Sequence, residues 1–325
     1  MASLKKYQSL FNSGLKSLNH REEPRGLYAP VEYLLKLGGK RLRPVLVLMA
    51  TEAFGKKPKE GLPAALCVEV FHNFTLMHDD IMDDAPLRRG QATVHEKWDV
   101  NTGILSGDAM LIQAYQFLEN YPVDLQVKLT QLLSKTAIEV CEGQQYDIDF
   151  ESQKTVTIDA YLQMIKLKTA VLVGCSLKMG AWIGGASDED AQLIYDFGVL
   201  LGIAFQVQDD YLDAFGDPET FGKQVGGDII ENKKTILFHK TMEKGTPEQK
   251  ADLLDWFENT SSKEVYKKIE AVKALFVGTG AAKQSREFVE FYTHKAFKKL
   301  DQVELKSETR AVFKAFGQNL MERKF

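Results

Sequence analysis

Cysteine is scarce in this chain of 325 residues, which contains only three of them. Cys67, Cys141 and Cys175 are widely spaced and form no C-x-x-C pair or other metal-ligand pattern. An odd number of cysteines without such a framework argues against a disulfide scaffold and fits a reducing compartment. We therefore expect small core thiols in a cytoplasmic protein.

Long apolar runs and an excess of basic charge are also missing. The longest apolar stretch, residues 170–186, contains Lys178 and four glycines, so it is not expected to span a membrane. Residues 1–18 are amphipathic and lack the apolar run of a secretory signal. The net charge of −4 argues against a general nucleic-acid binder. We predict a protein without a membrane span and without a nucleic-acid partner.

Strand-like alternation is equally rare, whereas helical periodicity runs through most of the chain. The predicted helices cover residues 31–37, 62–82, 108–119, 127–145, 158–183 and 188–215, a helix opened by Pro44, and helical hairpins over 235–323. Gly245-Thr246-Pro247 and Gly278-Thr279-Gly280 separate those hairpins. The sequence contains no low-complexity linker. It therefore predicts one all-α domain over residues 1–325, a helical bundle around a central active-site cavity.

Two copies of one acidic pattern stand out, Asp79-Asp80-Ile81-Met82-Asp83 and Asp209-Asp210-Tyr211-Leu212-Asp213. Residues i and i+4 share one face of a helix, so each copy directs at least two carboxylates the same way. Such carboxylates repel each other, and a bound cation relieves the repulsion. Magnesium prefers carboxylate and water ligands, and it can bridge them to a substrate phosphate.

A single D-D-x-x-D is more often a solvated acidic helix face than a metal site. Here both copies lie within apolar sequence. A face that is merely solvated would instead be flanked by other polar residues. We therefore expect two sets of carboxylates that face each other across a helical cavity and hold one diphosphate through magnesium.

Basic residues surround these motifs in the sequence. The loop Gly38–Pro44 carries Lys40, Arg41 and Arg43 before a predicted helix, and glycine freedom with a helix N-terminus favours phosphate binding. Arg88-Arg89 follows the first motif, and guanidinium forks match phosphate oxygens. A solvated basic loop is the plain alternative for each segment alone.

Further polar residues interrupt apolar helices. Lys168-Thr169 lies in a helix otherwise rich in Val, Leu, Gly and Ala. His72 precedes Asp79 by almost two helical turns and so projects toward the same face. Glu69 lies three residues before His72 and is placed to orient it. The glycine-rich segment 222–233, with Lys223 and Lys233 as phosphate contacts, resembles a flexible lid.

These pieces, in this order, resemble the trans-prenyl diphosphate synthases of short-chain type. In the first half the resemblance rests on Gly-Gly-Lys-Arg-Leu-Arg-Pro at 38–44, Glu69-x-x-His72, residues 78–84, Arg88-Arg89-Gly90 and Glu142-Gly143-Gln144. In the second half it rests on Lys168-Thr169, residues 206–213 and Gly222-Lys223 through Lys233. The match runs from about residue 35 to 235, and the combination is far more specific than any one motif.

The resemblance implies a role for each matching residue. Magnesium, roughly three ions per active site with Mn²⁺ as a substitute, would be bound by Asp79, Asp80, Asp83, Asp209, Asp210 and Asp213. The allylic diphosphate would contact Arg88, Lys168, Lys223 and Lys233. Thr169 and Gln206 would direct oxygen dipoles at the developing allylic cation. Isopentenyl diphosphate would be held by Lys40, Arg43, His72 and Arg89. Gln144 and Asp147 match residues near the allylic pocket.

The resemblance also implies the reaction and limits the product. Isopentenyl diphosphate would condense head-to-tail with dimethylallyl, geranyl or farnesyl diphosphate. Residues one to two turns before Asp79 would form the floor of the product tunnel, namely Phe71, Phe74 and Thr75. One aromatic residue at position 74, next to a small Thr75, resembles the archaeal-type twenty-carbon synthases. Geranylgeranyl diphosphate is the predicted product, and farnesyl diphosphate or a longer chain is the alternative.

Two other functions stay open at this point. A class I terpene cyclase has the same fold but needs no isopentenyl site, and its second motif is normally mixed. A non-catalytic regulatory subunit tends to lose one acidic motif, and both are intact here. The resemblance implies a homodimer and a basic tail, Arg323-Lys324, over the isopentenyl phosphate.

Overall fold

The computed structural model describes residues 2–18, 23–153, 155–216, 225–258 and 264–321. In its first part the helices are α1 (Ala2–Lys16), α2 (Arg25–Lys36), α3 (Leu42–Ala53), α4 (Leu62–Met82), α5 (Val94–Lys97) and α6 (Val100–Leu118). A 3₁₀ turn over Pro58–Gly61 precedes α4. Two short antiparallel strands, β1 (Leu87–Arg88) and β2 (Gln91–Ala92), form a hairpin before α5.

The remaining helices extend to the C-terminal region. They are α7 (Val123–Ser152), α8 (Ile158–Ile165), α9 (Val171–Gly184), α10 (Asp188–Phe215), α11 (Gly227–Ile230), α12 (Ile236–Lys244), α13 (Pro247–Glu258), α14 (Val265–Gly278), α15 (Ala281–Leu300) and α16 (Ser307–Met321). A π-helical turn, Lys166–Ala170, joins α8 to α9. The all-α prediction is confirmed.

The predicted bounds of α4 and α10 coincide with the structure, and the helices predicted over 108–119 and 127–145 are longer than expected. The helix predicted over 158–183 is divided into α8, the π-helical turn and α9. Helix α3 begins at Leu42, two residues before the proline that was expected to open it. The predicted glycine-rich loop 222–233 contains the short helix α11, which begins after Gly226 in the left-handed region at φ 85°. That part of the loop prediction was wrong.

Close contacts divide the chain into two units. The first unit contains the chain up to Lys135 together with Leu172–Tyr195, and the second contains Thr136–Val171 and the chain from Asp196 onward. The first acidic motif lies in the first unit and the second motif in the second unit. The single-domain arrangement stays a prediction.

Helix α4 forms the centre of the first unit, where it packs mainly against α6. Proline in its first turn suits a helix start, because the missing N–H has no partner there. Apolar residues on most sides of the helix are buried, including Val68, Phe71 and Met77. The helix ends at Met82, and Asp84 turns the chain at φ 48°. This burial fixes the direction of the acidic motif at its end.

Glycines allow close helix packing in the second unit. A Cβ atom at Gly202 of α10 would lie 2.7 Å from the Cα of Ala170. A Cβ atom at Gly143 of α7 would lie 2.2 Å from the backbone nitrogen of Lys168. Real Cβ atoms do not approach so closely, so both helices reach the π-helical turn only because these residues are glycine.

Two helical stretches, Ile158–Gly184 and Asp188–Phe215, are long and apolar enough to cross a membrane by length and composition. In their most apolar windows, 61% and 56% of the residues are buried inside the protein. Core helices meet the same criteria. The second stretch also carries the carboxylates of the second acidic motif, which would be costly inside a bilayer.

Candidate active site

The first acidic motif presents its carboxylates at different depths. Asp80 is buried, Asp79 is partly exposed, and Asp83 is exposed where α4 ends. Oδ1 of Asp80 accepts hydrogen bonds from Nε of Arg88 at 2.7 Å and Nη2 of Arg88 at 2.5 Å. Burial raises the pKa of Asp80, and the Arg88 guanidinium opposes that shift. Asp79 and Asp83 are therefore the more accessible oxygen donors of this motif.

The β1–β2 hairpin places its two arginines differently. Arg88 pairs with Gln91 across the hairpin and turns toward Asp80. Arg89 adopts φ 54° in the turn and donates a hydrogen bond to the carbonyl oxygen of Gly38. Gly39 has a φ of 122°, which residues with a side chain rarely adopt, and the Arg89 guanidinium lies 2.8 Å from the position of a Cβ atom there. The structure thus brings Arg89 against the basic loop.

His72 lies beside this cationic group. Nη1 of Arg43 is 3.0 Å from Nε2 of His72, and arginine can only donate, so the imidazole nitrogen accepts. Burial, followed by the charges of Arg43, Arg89 and neighbouring arginines, lowers the pKa of His72 well below its usual range. His72 is therefore neutral near pH 7. Lys40 is exposed in the adjoining loop.

The predicted partner of Glu69 is wrong. Arg41, buried at the N-terminus of α3 with φ 50°, donates to Oε1 of Glu69 and to the carbonyl oxygen of Leu35. Nδ2 of Asn73 donates to the same carboxylate at 3.0 Å. Glu69 is buried and neutralises Arg41, which fixes the start of the helix that carries Arg43. The sequence does contain a signal for this pair. Three cations lie within residues 40–43 at the start of an apolar helix, and a buried cation there needs a carboxylate partner.

The predicted tunnel-floor residues lie together on α4. The rings of Phe71 and Phe74 are 5.6 Å apart, and Phe74 meets the His78 ring edge-on at 4.8 Å. The Thr75 hydroxyl donates to the carbonyl oxygen of His72 at 2.8 Å. Phe71 is fully buried, whereas Phe74 is 9% exposed and Thr75 is half-buried. Of the two aromatic rings, that of Phe74 is thus the less completely buried and the closer to Asp79 along the helix.

A cavity in the second unit collects most of the residues predicted there. Its volume is about 680 Å³, including its open mouth. It is lined by Asp147, Phe150, Glu151, Tyr161, Met164, Ile165, Lys168, Thr169, Gln206, Asp210, Asp228, Asn232, Lys233, Lys234 and Thr235. Lys168 and Thr169 belong to the π-helical turn, a feature often found at functional sites.

A hydrogen-bond chain crosses this cavity. Oγ1 of Thr169 donates to Oε1 of Gln206 at 3.0 Å, and Nε2 of Gln206 donates to Oδ1 of Asp210 at 2.9 Å. Nζ of Lys168 lies 2.5 Å from Oδ2 of Asp147. The structure therefore brings together Lys168, Thr169 and Gln206 with the second acidic motif, and it places Asp147 beside them.

Tyr161 is a site residue that sequence reasoning missed. Its hydroxyl donates a hydrogen bond to Oδ2 of Asp210, and both side chains are buried. Burial raises the pKa of Asp210 to about 7, the charges of Asp209 and Asp213 add to the shift, and the hydrogen bonds from Tyr161 and Gln206 oppose it. The sequence offers one signal for Tyr161. It precedes Lys168 by about two helical turns, so the two side chains are expected on the same helix face.

Asp228 is a second missed residue of the cavity. Its backbone N–H donates to Oδ2 of Asp213 at 2.9 Å, which ties α11 to the second acidic motif. Burial raises the pKa of Asp228, and Asp210 and Asp213 add to this. Nζ of Lys233 lies 2.9 Å from Oε2 of Glu231 and lines the cavity. Lys223 lies outside the described residues.

The oxygen donors of both motifs suit magnesium. In each motif the second aspartate is buried and hydrogen-bonded, whereas the first and last are partly or fully exposed. Carboxylates that keep access to water match an ion that retains several water ligands. The residues that would hold the ions are Asp79, Asp83, Asp209 and Asp213, with Asp80 and Asp210 as inner oxygens.

The chain resembles solved and curated proteins along almost its whole length. It is 44% identical over 245 residues to a geranylgeranyl diphosphate synthase from Methanosarcina mazei, covering 74% of this chain and 75% of that protein. It is 35% identical to a geranylgeranyl pyrophosphate synthase from Geoglobus acetivorans, covering 98% of each. A crystal structure of a geranylgeranyl pyrophosphate synthase is 53% identical, with a TM-score of 0.95 and 99% of both chains covered.

These similarities and the all-α architecture define a prenyltransferase of the isoprenoid synthase fold. Residues 24–275 match the polyprenyl synthetase family model, which is well over half of the chain. The chain belongs to the polyprenyl synthetase family.

Proposed function

We propose that this prenyltransferase condenses isopentenyl diphosphate head-to-tail with an allylic diphosphate and that geranylgeranyl diphosphate is its main product. The reaction is supported by the cavity in which Lys168, Thr169 and Gln206 contact each other or the second acidic motif. The product is supported by relatives that are named for geranylgeranyl diphosphate. Farnesyl diphosphate is the second candidate product, because Phe74 keeps a bulky ring near Asp79.

We assign magnesium, with Mn²⁺ as a substitute, to both acidic motifs. Bound magnesium would stabilise the departing diphosphate and so lower the barrier to ionisation of the allylic substrate. Arg88, Lys168, Lys223 and Lys233 would contact that diphosphate. Oγ1 of Thr169 and the side-chain oxygen of Gln206 would turn their dipoles toward the positive charge on the allylic carbons. Asp147 would keep Lys168 extended into the cavity, since the two are already paired.

The isopentenyl diphosphate is assigned to the cationic group of the first unit. Arg43, Arg89 and the exposed Lys40 would bind its phosphates, and the neutral His72 would donate a hydrogen bond from its protonated ring nitrogen. Fixing the second substrate converts its attack into an intramolecular step. The leaving proton would pass to the released diphosphate, which is the anionic base that the reaction itself forms beside the new bond. Exclusion of water protects the cation.

We further propose a cytoplasmic homodimer without a membrane span or a nucleic-acid partner, in which the two units act as one catalytic domain. Large apolar side chains are exposed on α6 and at the start of α7, namely Val100, Ile104, Leu105, Ile112, Val123 and Val127. Apolar surface of this kind is typical of a subunit interface. The burial of both long apolar helices supports the assignment to the core instead of a bilayer.

Incubation of the purified chain with Mg²⁺, isopentenyl diphosphate and each allylic primer tests the function. Chromatography should resolve geranylgeranyl diphosphate as the main product. A cyclised hydrocarbon formed from the allylic substrate alone would favour a terpene cyclase, and no product without a partner protein would favour a regulatory subunit.

Asp79→Asn and Asp209→Asn should each abolish nearly all turnover and leave helicity unchanged. Normal turnover in either variant would refute its metal role.

A further inference from the structure

Three potential metal ligands meet beyond the end of α4, outside the acidic motifs. Nε2 of His95 lies 4.0 Å from Oδ1 of Asp84 and 3.8 Å from Oε1 of Glu96. One ligand atom of each residue lies within 4.8 Å of the other two. The function proposed above uses none of these side chains.

His95 lacks the hydrogen bonds that a buried imidazole normally makes. Its side chain is only 5% exposed, and neither Nδ1 nor Nε2 has a hydrogen-bond partner among the residues that the structure describes. Buried polar groups in native proteins almost always have a partner, which is protein, ordered water or an ion, so a ligand is expected at this ring. Its Nε2 faces the two carboxylates at 4.0 and 3.8 Å, which is too far for a hydrogen bond and leaves room for a cation between the three groups.

The backbone holds the three residues in place. Asp84 lies just past the end of α4 in the left-handed region, and His95 and Glu96 belong to α5. Thr93 closes the segment between them, because its hydroxyl donates to the carbonyl oxygen of Ala85 at 2.8 Å and its N–H donates to that of Pro86 at 3.2 Å. These backbone contacts thus hold the three ligand residues close together before any ion binds.

We propose that Asp84, His95 and Glu96 bind a divalent transition-metal ion, zinc being the best fit. Imidazole nitrogen and carboxylate oxygen are both zinc donors, and three protein ligands with water in the fourth position is the arrangement of an open zinc site. An imidazole ligand selects zinc over magnesium, which prefers oxygen alone. Ligand atoms around tetrahedral zinc lie roughly 3.3 Å apart. The Asp84 and Glu96 side chains are 98% and 51% exposed, so they can rotate inward by the remaining distance.

The ion would link the end of α4 to α5. It would thereby fix both ends of the segment between them, which carries Arg88 and Arg89. Both arginines already contact the rest of the first unit, through Asp80 and Gly38. Binding of zinc would therefore restrict the motion of the arginine hairpin without entering the acidic motif.

Zinc titration of the purified, metal-stripped chain tests this site. Calorimetry and elemental analysis after dialysis should show that the wild type holds one more zinc ion than Asp84→Asn, His95→Gln or Glu96→Gln. Asp108→Asn is the matched control, because this exposed carboxylate also lies 4.0 Å from a histidine Nε2, that of His78, but belongs to no three-ligand cluster among the described residues. It should bind as much zinc as the wild type.

Any zinc bound by the acidic motifs should be present equally in the wild type and in each variant. It therefore cancels when the zinc content of a variant is subtracted from that of the wild type. Excess Mg²⁺ should displace that common part and leave the additional ion bound. The two exposed carboxylate variants change no core packing, so their loss of zinc cannot be ascribed to unfolding, which circular dichroism would verify for His95→Gln. Equal zinc content in the wild type and all three variants would overturn the proposal, as would complete displacement by Mg²⁺.

Discussion

The guanidinium of Arg88 binds the buried carboxylate of Asp80 through two hydrogen bonds, from Nε at 2.7 Å and Nη2 at 2.5 Å. A side chain predicted to contact a substrate diphosphate therefore serves as the counter-charge of a predicted metal ligand. Asp80 is only 2% exposed, so it depends on a positive partner for its ionised form. We therefore predict that Arg88 and a metal ion are alternative partners of this carboxylate.

Arg88→Ala should destabilise the metal-free protein by about 1–3 kcal/mol, because a buried carboxylate loses its partner. Addition of Mg²⁺ should restore most of the loss, since the ion supplies the missing charge. Urea unfolding in chelator and in Mg²⁺ measures both values. Arg25→Ala, at an exposed arginine on α2, is the control and should change neither. Equal destabilisation with and without Mg²⁺ would contradict the exchange of partners.

Phe74→Ala should lengthen the product, because it removes the ring that lies one turn before the acidic motif. The full truncation costs about 3–5 kcal/mol of stability, so Phe74→Leu provides a milder second variant. Product chromatography measures the chain length. Phe291→Ala is the matched control, since it removes a ring of the same size that is 50% exposed on α15 and is no part of the predicted tunnel floor. An unchanged product distribution in both Phe74 variants would remove this residue from the tunnel floor.

Thr169→Val should lower turnover about tenfold, equivalent to about 1.4 kcal/mol of transition-state stabilisation, without a matching rise in KM. The hydroxyl of Thr169 donates to Gln206, which in turn bonds to Asp210, so its loss removes one of the two hydrogen bonds that orient this amide. Steady-state kinetics separate the two constants. Thr293→Val changes a hydroxyl that bonds only along its own helix α15 and should be neutral. A pure KM effect in Thr169→Val would instead indicate a binding role.

His239 should make the protein sensitive to acid. Burial lowers its pKa to about 4, whereas histidine in an unfolded chain titrates near 6.5. The folded pKa is the lower one, so its stability contribution is present above pH 6.5 and is lost as the pH falls toward about 4. The loss should approach about 3 kcal/mol. Urea unfolding across this pH range measures it.

His239→Gln should reduce that pH dependence, because glutamine keeps polar contacts but does not titrate. The matched control is His294→Gln, at an exposed histidine on α15 that should contribute little. Equal acid sensitivity in the wild type and His239→Gln would show that other groups cause the loss of stability.

Helical periodicity and capping residues were sufficient to predict the all-α fold, and α4 and α10 were predicted with their observed bounds. Both helices are long, and their apolar residues recur at regular spacing between clear ends. The prenyltransferase prediction, which rested on an ordered set of motifs, is confirmed by the family match. The roles of individual site residues and the position of Arg323-Lys324, which lies outside the described residues, stay predictions.

The missed features depend on contacts that periodicity does not encode. Arg41 and Glu69 are 28 positions apart, and Tyr161 and Asp210 are 49 apart, so neither pairing follows from local spacing. Local spacing suggested instead that Glu69 orients His72, and that was wrong. The π-helical turn was also missed, because an extra residue in one turn leaves no clear mark in an apolar sequence.

The contact between Gly143 and the backbone of Lys168 makes position 143 intolerant of change. A single added methyl group would push the irregular turn away from α7 and carry Lys168 and Thr169 with it. In a saturation library, every replacement at this position should therefore be depleted, alanine included. One hydrogen atom, in place of a side chain, thus sets the geometry of Lys168 and Thr169.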